Sequence, residues 1–299
     1  MKLIVNADDF GIDIDRDIGI AYGVLKGYIS SVSVVVTNKI GIIRKLLIKL
    51  IRKKASVGIH INLTDNPLTK YRMEELVFYN YDYKKRKFCF WENAIKGTIN
   101  IRNIRDEINE QLNKFIKKYK MFPSHIDGHN HCNIFNKDIE KIFENISNDY
   151  NIHLRIPYED LNNFDKKYLE GNSFFKDYSK FKKMEITTDF INKELNYFFL
   201  YDMYLNNYMV EKNCNKDSIK YIGTMYGYFR KATILYNQLI NFKDDDTIQI
   251  MTHPGFFFKT IKHKTVFSNK ERADELRSLK ELKKIVKQKN IQYINYKNI

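Results

Sequence analysis

Three of the seven histidines of this sequence fall within seven residues, in His125-Ile126-Asp127-Gly128-His129-Asn130-His131. In an extended chain, side chains two apart point the same way. His125, Asp127, His129 and His131 are therefore expected on one face, with Gly128 as a point of bending. Imidazole nitrogens and a carboxylate converging from one face suit a divalent metal, Zn²⁺ especially. Alternate side chains lie about 6.6–6.8 Å apart along a strand, so all four cannot bind one ion. Some must instead orient the imidazoles that do. A surface strand with coincidental histidines is the plainer alternative, and the regular spacing argues against it.

Asp8-Asp9 follows the apolar run Lys2–Asn6 and precedes Phe10-Gly11. Two acids at the end of a buried strand are costly unless paired. A metal or a functional cleft resolves that cost, with one carboxylate binding the metal and the other acting as a base. They could merely cap the next helix, but Asp13 and Asp15 are available for that. His60, in Gly58-Ile59-His60-Ile61-Asn62-Leu63-Thr64, and His253, in Met251-Thr252-His253-Pro254-Gly255, each sit toward the end of an expected strand. A lone histidine in an apolar strand is usually a satisfied core residue. A metal site that draws ligands from several strands reverses that reading for His60. Sites in parallel α/β folds gather at the C-terminal ends of strands, and four such ends here carry Asp, His, Asp/His and His.

The elements that must position these residues are legible from periodicity. Lys2–Asn6, Ser31–Thr37, Ser56–Leu63, Ser124–His131, Ile152–Ile156, Thr247–Met251 and Ile291–Ile294 read as strands or strand ends. Asp13–Lys26, Ile40–Lys54, Ile101–Tyr119, Asp138–Tyr150 and Lys270–Lys289 read as helices. At least six strand–helix steps predict an α/β fold with a parallel sheet, and a (β/α) TIM-like barrel over a small open sheet. Such a barrel takes about 250 residues, and the excess falls in Tyr158–Asn215, which is thick in Tyr, Phe, Asn and Lys. One domain over residues 1–299 with an insertion at about 158–215 is expected. The insertion is expected to wall a substrate groove, pack on a second copy of the chain as in a homodimer, or form a satellite lobe.

The 299 residues carry 51 Lys+Arg against 36 Asp+Glu, a net charge of +15. The cations are spread along the chain, so the charge reads as a diffusely basic surface with no specific nucleic-acid site. No apolar run approaches the roughly 20 residues of a membrane span, so no membrane partner is expected. The N-terminus lacks the apolar core of a signal peptide. Three scattered cysteines argue against a disulfide framework. A cytoplasmic protein is expected. Phosphate loops, dinucleotide fingerprints, nucleophile elbows, His-Glu-x-x-His and Cys-x-x-Cys are all missing. The rival readings are a metal-dependent hydrolase of another amide or a phosphoester, and a non-enzymatic binder of nucleic acid or anionic polymer. A glycosidase built on two carboxylates would leave the histidines unexplained.

Asn6-Ala7-Asp8-Asp9-Phe10-Gly11, Gly58–Thr64, Pro123–His131, Leu154-Arg155-Ile156-Pro157, His253-Pro254-Gly255 and Arg272-Ala273-Asp274-Glu275-Leu276 occur in the order seen in YdjC-like carbohydrate deacetylases. The sequence resembles that family over nearly its whole length. Tyr158–Asn215 departs from it, being longer and more aromatic. The resemblance implies a distorted (β/α) barrel and a divalent-metal hydrolase that removes acetyl groups from N-acetylated sugars. It implies Asp9, His60 and His129 as metal ligands, Asp8 as general base and His253 as the catalytic histidine that protonates the leaving amine. Arg155 is implied as a charge partner of Asp8. His125, Asp127 and His131 are left to orient ligands or touch substrate. The ligand set favours Zn²⁺ by softness, whereas the resemblance implies Mg²⁺.

Overall fold

Lys2–Phe10 forms strand β1, buried from Leu3 onward because it has a strand on either side. In this computed structural model, residues 1–64, 67–69, 90, 93–94, 96–157, 219–223, 231–256 and 269–299 are described. Helix α1 (Ile14–Leu25) starts where the Asp13 side chain accepts from the Arg16 backbone N–H at 2.9 Å, a standard N-cap. Strand β2 (Ser31–Val34), helix α2 (Ile42–Ile51) and strand β3 (Ser56–Ile61) follow. Helix α3 (Ile101–Tyr119) is capped by Asn100 and buries Ile104, Ile108, Leu112 and Phe115 along one stripe. Strand β4 (His125–Gly128) leads through a 3₁₀ turn to helix α4 (Lys137–Tyr150) and strand β5 (His153–Leu154). The described remainder holds β6 (Lys220–Ile222), α5 (Ala232–Leu239), β7 (Thr247–Thr252), α6 (Asn269–Gln288) and β8 (Gln292–Tyr293).

All the described strand pairs are parallel. The order is β5-β4-β3-β2-β1-β7-β6, with β8 pairing β1 off that path. Parallel strands are buried on both faces and read as continuous apolar runs, which Leu3-Ile4-Val5 and the six buried residues of β3 illustrate. All seven strands read from the sequence are present, five with shortened ends and two, β1 and β7, extended at their C-terminal ends. β6 and α5 fall where periodicity gave no signal.

The expected distorted, TIM-like barrel is borne out in part. The described strands form a parallel sheet with β5 and β6 as its ends, compatible with a distorted (β/α) barrel but not a full eight-stranded ring. The sheet is nonetheless strongly curled. Four inter-strand steps separate β5 from β1, about 19 Å in a flat sheet. Yet Arg155, just after β5, reaches Asp8 in β1 at 2.7 Å. The rings of His131 and Tyr221, beyond β4 and in β6, likewise lie 6.5 Å apart. Curling brings the C-terminal ends of the strands around one interior. The expected insertion, Tyr158–Asn215, lies outside the described residues.

Candidate active site

Adjacent residues of a strand normally point to opposite faces, so Asp8 and Asp9 should not both reach one cleft. A bulge brings them together. The β1–β2 register passes from Ala7↔Val32 to Phe10↔Val34, setting two residues of β1 opposite Ser33. Such an extra residue bends the strand and re-aims its side chains. Asp9 adopts φ 71°, a left-handed conformation uncommon outside glycine. Both carboxylates are buried, at 2% and 3% exposure.

Asp8 is gripped by Arg155 through two parallel bonds, Nη1 to Oδ1 and Nη2 to Oδ2, each 2.7 Å. Asn6 Nδ2 donates a third bond to Oδ1 at 2.6 Å. This fork is the strongest geometry available to an Arg–carboxylate pair. Arg155 Nη1 also lies 2.9 Å from Asp127 Oδ2, so one guanidinium joins two acids from different strands. Burial would lower the Arg155 pKa, but Asp127 and Asp8 raise it well above its usual value.

Asp127 Oδ1 meets His60 Nδ1 at 2.6 Å. That bond keeps a proton on Nδ1 and turns the Nε2 lone pair inward. Burial lowers the His60 pKa, and Asp127 and Asp8 outweigh it, so the metal-free imidazole titrates above its ordinary value. Asp127 itself is held well below the carboxylate range, since Arg155 and His60 overcome its burial.

Asp9 completes a second cluster. Its Oδ2 pairs with Arg16 Nη1 at 2.8 Å and lies 3.6 Å from Arg272 Nη2. Its Oδ1 lies 3.0 Å from His129 Nδ1 and 3.8 Å from His60 Nε2, without a well-formed hydrogen bond. Burial would raise the Asp9 pKa, but His129 and Arg16 hold it well below the usual range. His129 Nδ1 and His60 Nε2 are 3.3 Å apart. Ligand atoms about 2.1 Å from one ion at angles of 90–109° stand about 3.0–3.4 Å apart. Two of the three separations among Asp9 Oδ1, His60 Nε2 and His129 Nδ1 fall in that range and the third, 3.8 Å between Asp9 and His60, is slightly wider, so the three could hold one metal ion. Asp8, His60 and Asp127 also cluster, but Arg155 already neutralises both acids, and His60 Nδ1 is engaged with Asp127. That group is a charge network and not a second metal position.

The remaining expected site residues fall in different places. The alternation from His125 to His131 holds only as far as Asp127. Residues 129–131 form a 3₁₀ turn, with Asn130 at φ 50° and His131 at φ 54°, so His129 reaches the ligand position by a turn and not by strand alternation. His125 lies in another environment, fully buried, with its Nε2 2.9 Å from Ser33 Oγ and its ring stacked on Tyr296 at 4.1 Å. Its ring occupies the space above Gly58, where a Cβ would stand 2.4 Å from His125 Cε1. Burial is the main cause that takes its pKa down to about 3, so it stays neutral. Ser33 Oγ also donates to Asp127 Oδ2 at 2.6 Å, which links His125 to the site at one remove. His131 is also held well below its ordinary pKa, by burial and then by Arg155. His253 follows β7 and contributes to the field at Asp9.

Sequence reasoning missed Arg16, Ser33 and Tyr296, and gave Asn6 and Arg272 no role. Arg16 lies one turn into α1, where nothing in its spacing points to Asp9. The bulge that sets Ser33 opposite the two acids leaves no mark in the sequence.

The sequence model of a family described as YdjC-like protein matches residues 2–288. A carbohydrate deacetylase of Clostridium beijerinckii is 28% identical over 313 residues, covering 100% of each chain. Carbohydrate deacetylase 2 of Listeria innocua is 26% identical, covering 100% of this chain and 99% of its own. A crystal structure from Enterococcus faecalis, of a protein described as a candidate for cellobiose-phosphate cleavage, superposes with a TM-score of 0.66 at 18% identity. It covers 99% of this chain and 98% of that one, and it shows a shared fold.

Proposed function

The chain belongs to the YdjC-like family, and from that premise we propose that it is a metal-dependent carbohydrate deacetylase that hydrolyses the acetamide of an N-acetylated sugar. The names of its full-length relatives support the reaction class. The observation that carries the reading is the convergence of Asp9 Oδ1, His60 Nε2 and His129 Nδ1 within 3.0–3.8 Å of one another. Asp8 Oδ2 stands 3.7 Å from His60 Nε2, beside that cluster.

Asp9, His60 and His129 would hold the divalent ion. When bound, such an ion polarises an acyl carbonyl and lowers the pKa of a water, to about 7 for Zn²⁺ in favourable sites. Asp127 fixes the His60 tautomer, and Arg16 occupies the Asp9 oxygen that faces away from the imidazoles. Asp8 takes the proton of the attacking water. Asp8 Oδ1 already accepts from Arg155 and Asn6, whereas Oδ2 accepts from Arg155 alone and keeps a lone pair for that proton. His253 gives a proton to the departing sugar amine, which is a poor leaving group until protonated.

Acetate release from a panel of N-acetylated mono- and oligosaccharides tests the reading, with metal-stripped and metal-restored protein and Asp8→Asn as control. Release that needs both the metal and Asp8 is the expected result. Release that survives metal removal would contradict the ligand assignment, and no release from any acetylated sugar would contradict the substrate class.

A further inference from the structure

Resting on that reading, we propose that Arg272 and Glu275, near the start of α6, are positioning residues that set His253 in register with the Asp9 carboxylate. Three residues apart on a helix, they share one face, and both are buried, at 2% and 7% exposure. The backbone N–H of His253 donates to Glu275 Oε2 at 2.9 Å. The His253 carbonyl accepts from Arg272 Nη1 at 3.1 Å. The other terminal nitrogen of the same guanidinium lies 3.6 Å from Asp9 Oδ2. One side chain therefore spans the residue assigned to the metal and the backbone of the residue assigned to proton delivery. These bonds are made to the main chain of His253 and not to its ring.

The loop after His253 is fixed from two further sides. Gly255 N–H donates to the Arg272 carbonyl at 3.2 Å, and Phe256 N–H to the Asp15 carbonyl of α1 at 3.1 Å. Gly255 lies so close to α1 that a Cβ on Gly19 would stand 2.6 Å from its backbone. A glycine inside a helix is unfavourable relative to alanine, and the close seat of the loop accounts for Gly19. The β7 loop is thus wedged between α1 and α6. An imidazole carried by a loop needs this kind of support, since a misplacement of about 1 Å can cost about 10²-fold in rate.

The test compares Glu275→Met, which removes the acceptor, with Glu275→Gln, which keeps an acceptor oxygen. Three readings are taken on each: kcat and KM for acetate release, calorimetric metal affinity, and hydrogen exchange of the His253 amide in metal-free protein. Glu275→Met is expected to lower kcat about tenfold or more, leave KM and metal affinity within about twofold, and speed exchange at His253. Glu275→Gln is expected to recover most of the rate and the protection. Arg272→Met is expected to weaken metal binding as well, because Asp9 loses a neighbour. Unchanged kcat and exchange in Glu275→Met, or equal losses in both Glu275 variants, would overturn the proposal. Should Glu275→Met not fold, Gly19→Ala displaces the same loop from the α1 side and must lower kcat while metal affinity holds. His253→Ala separates the two levels. If it matches the wild type, the role given to His253 falls and the proposal with it. If it is impaired while Glu275→Met and Gly19→Ala are not, only the positioning falls.

Discussion

Two buried histidines on neighbouring strands, His60 on β3 and His125 on β4, have opposite fates. Both are almost fully excluded from solvent. His60 faces Asp127 and Asp8, and its pKa is raised despite burial. His125 bonds Ser33 and Ser124 and stacks on Tyr296, with the Asp127 carboxylate farther off at 3.9 Å from its Nε2, and burial takes its pKa down to about 3. Burial lowers both, so the partners decide. The upper layer of the sheet interior brings Asp8, Asp9 and Asp127 together with Arg16 and Arg155, and it offers the carboxylates that a cation needs. The layer of His125, Tyr296, Ser31 and Ser56 is neutral and closed by hydroxyls and stacking. Changes in the first layer should therefore disable chemistry, and changes in the second should alter stability alone.

The largest expected effect is on rate. Asp8→Asn should lower acetate release by about 10²–10⁴-fold, the usual contribution of a general base, while retaining metal. Asp9→Asn should lose metal affinity as well. The reverse pattern, read by metal analysis beside kinetics, would show that the two acids have exchanged roles. Next in size, His60→Ala and His129→Ala should each weaken metal binding by at least about tenfold, whereas His125→Gln should leave it unchanged.

The pH dependence of stability sharpens the contrast. Between an unfolded pKa of about 6.5 and the folded value of about 3, only the unfolded chain protonates His125. Stability should therefore fall as pH drops through that window, by up to about 1.4 kcal/mol per pH unit for this one group. His131 is lowered too and acts in the same sense. His60, being raised, contributes in full below about pH 6.5 and loses its contribution as pH rises through its folded value. Asp9 and Asp127 are depressed, so their contribution is lost only as pH falls below about 4. Between about pH 4 and 6.5 the lowered histidines act against Asp17, whose carboxyl is pushed up to about 6 by burial and which therefore adds stability as pH falls. The difference in slope between wild-type and His125→Gln metal-free protein isolates His125, and the variant should show the shallower loss. An unchanged slope would mean that His125 is not held neutral by the fold. The smallest effect belongs to Tyr296→Phe, which removes a hydroxyl donated to Gln249 Oε1. It should cost about 1–2 kcal/mol of stability and leave activity intact.

The two layers were unequally legible in the sequence. Asp8, Asp9, His60 and His253 announce themselves because charged or imidazole side chains at the ends of apolar strands need a reason. His125 looked equivalent to His129 because period-two spacing was carried past Gly128, where the chain turns. Which environment a histidine meets depends on residues distant in sequence, Ser33 and Tyr296 in one case and Asp127 in the other, and one sequence does not show such pairings. The same holds for Arg16 on Asp9. Strands β1 to β4 were readable because parallel strands are continuously apolar. β6 has three residues, too few for a period. Helix α5 has Lys231 at its N-cap position, which makes no side-chain cap bond, and no acid in its first turn, so the usual start signals are missing.

The metal site is probed most directly by calorimetric titration of metal-stripped protein with a divalent ion, with wild type, His60→Ala and His125→Gln run in parallel at two pH values. One ion per chain is expected in wild type and His125→Gln, with weaker binding at the lower pH because the His60 proton must leave, and a loss of at least about tenfold in His60→Ala. Equal binding by His60→Ala and the wild type would contradict the ligand assignment.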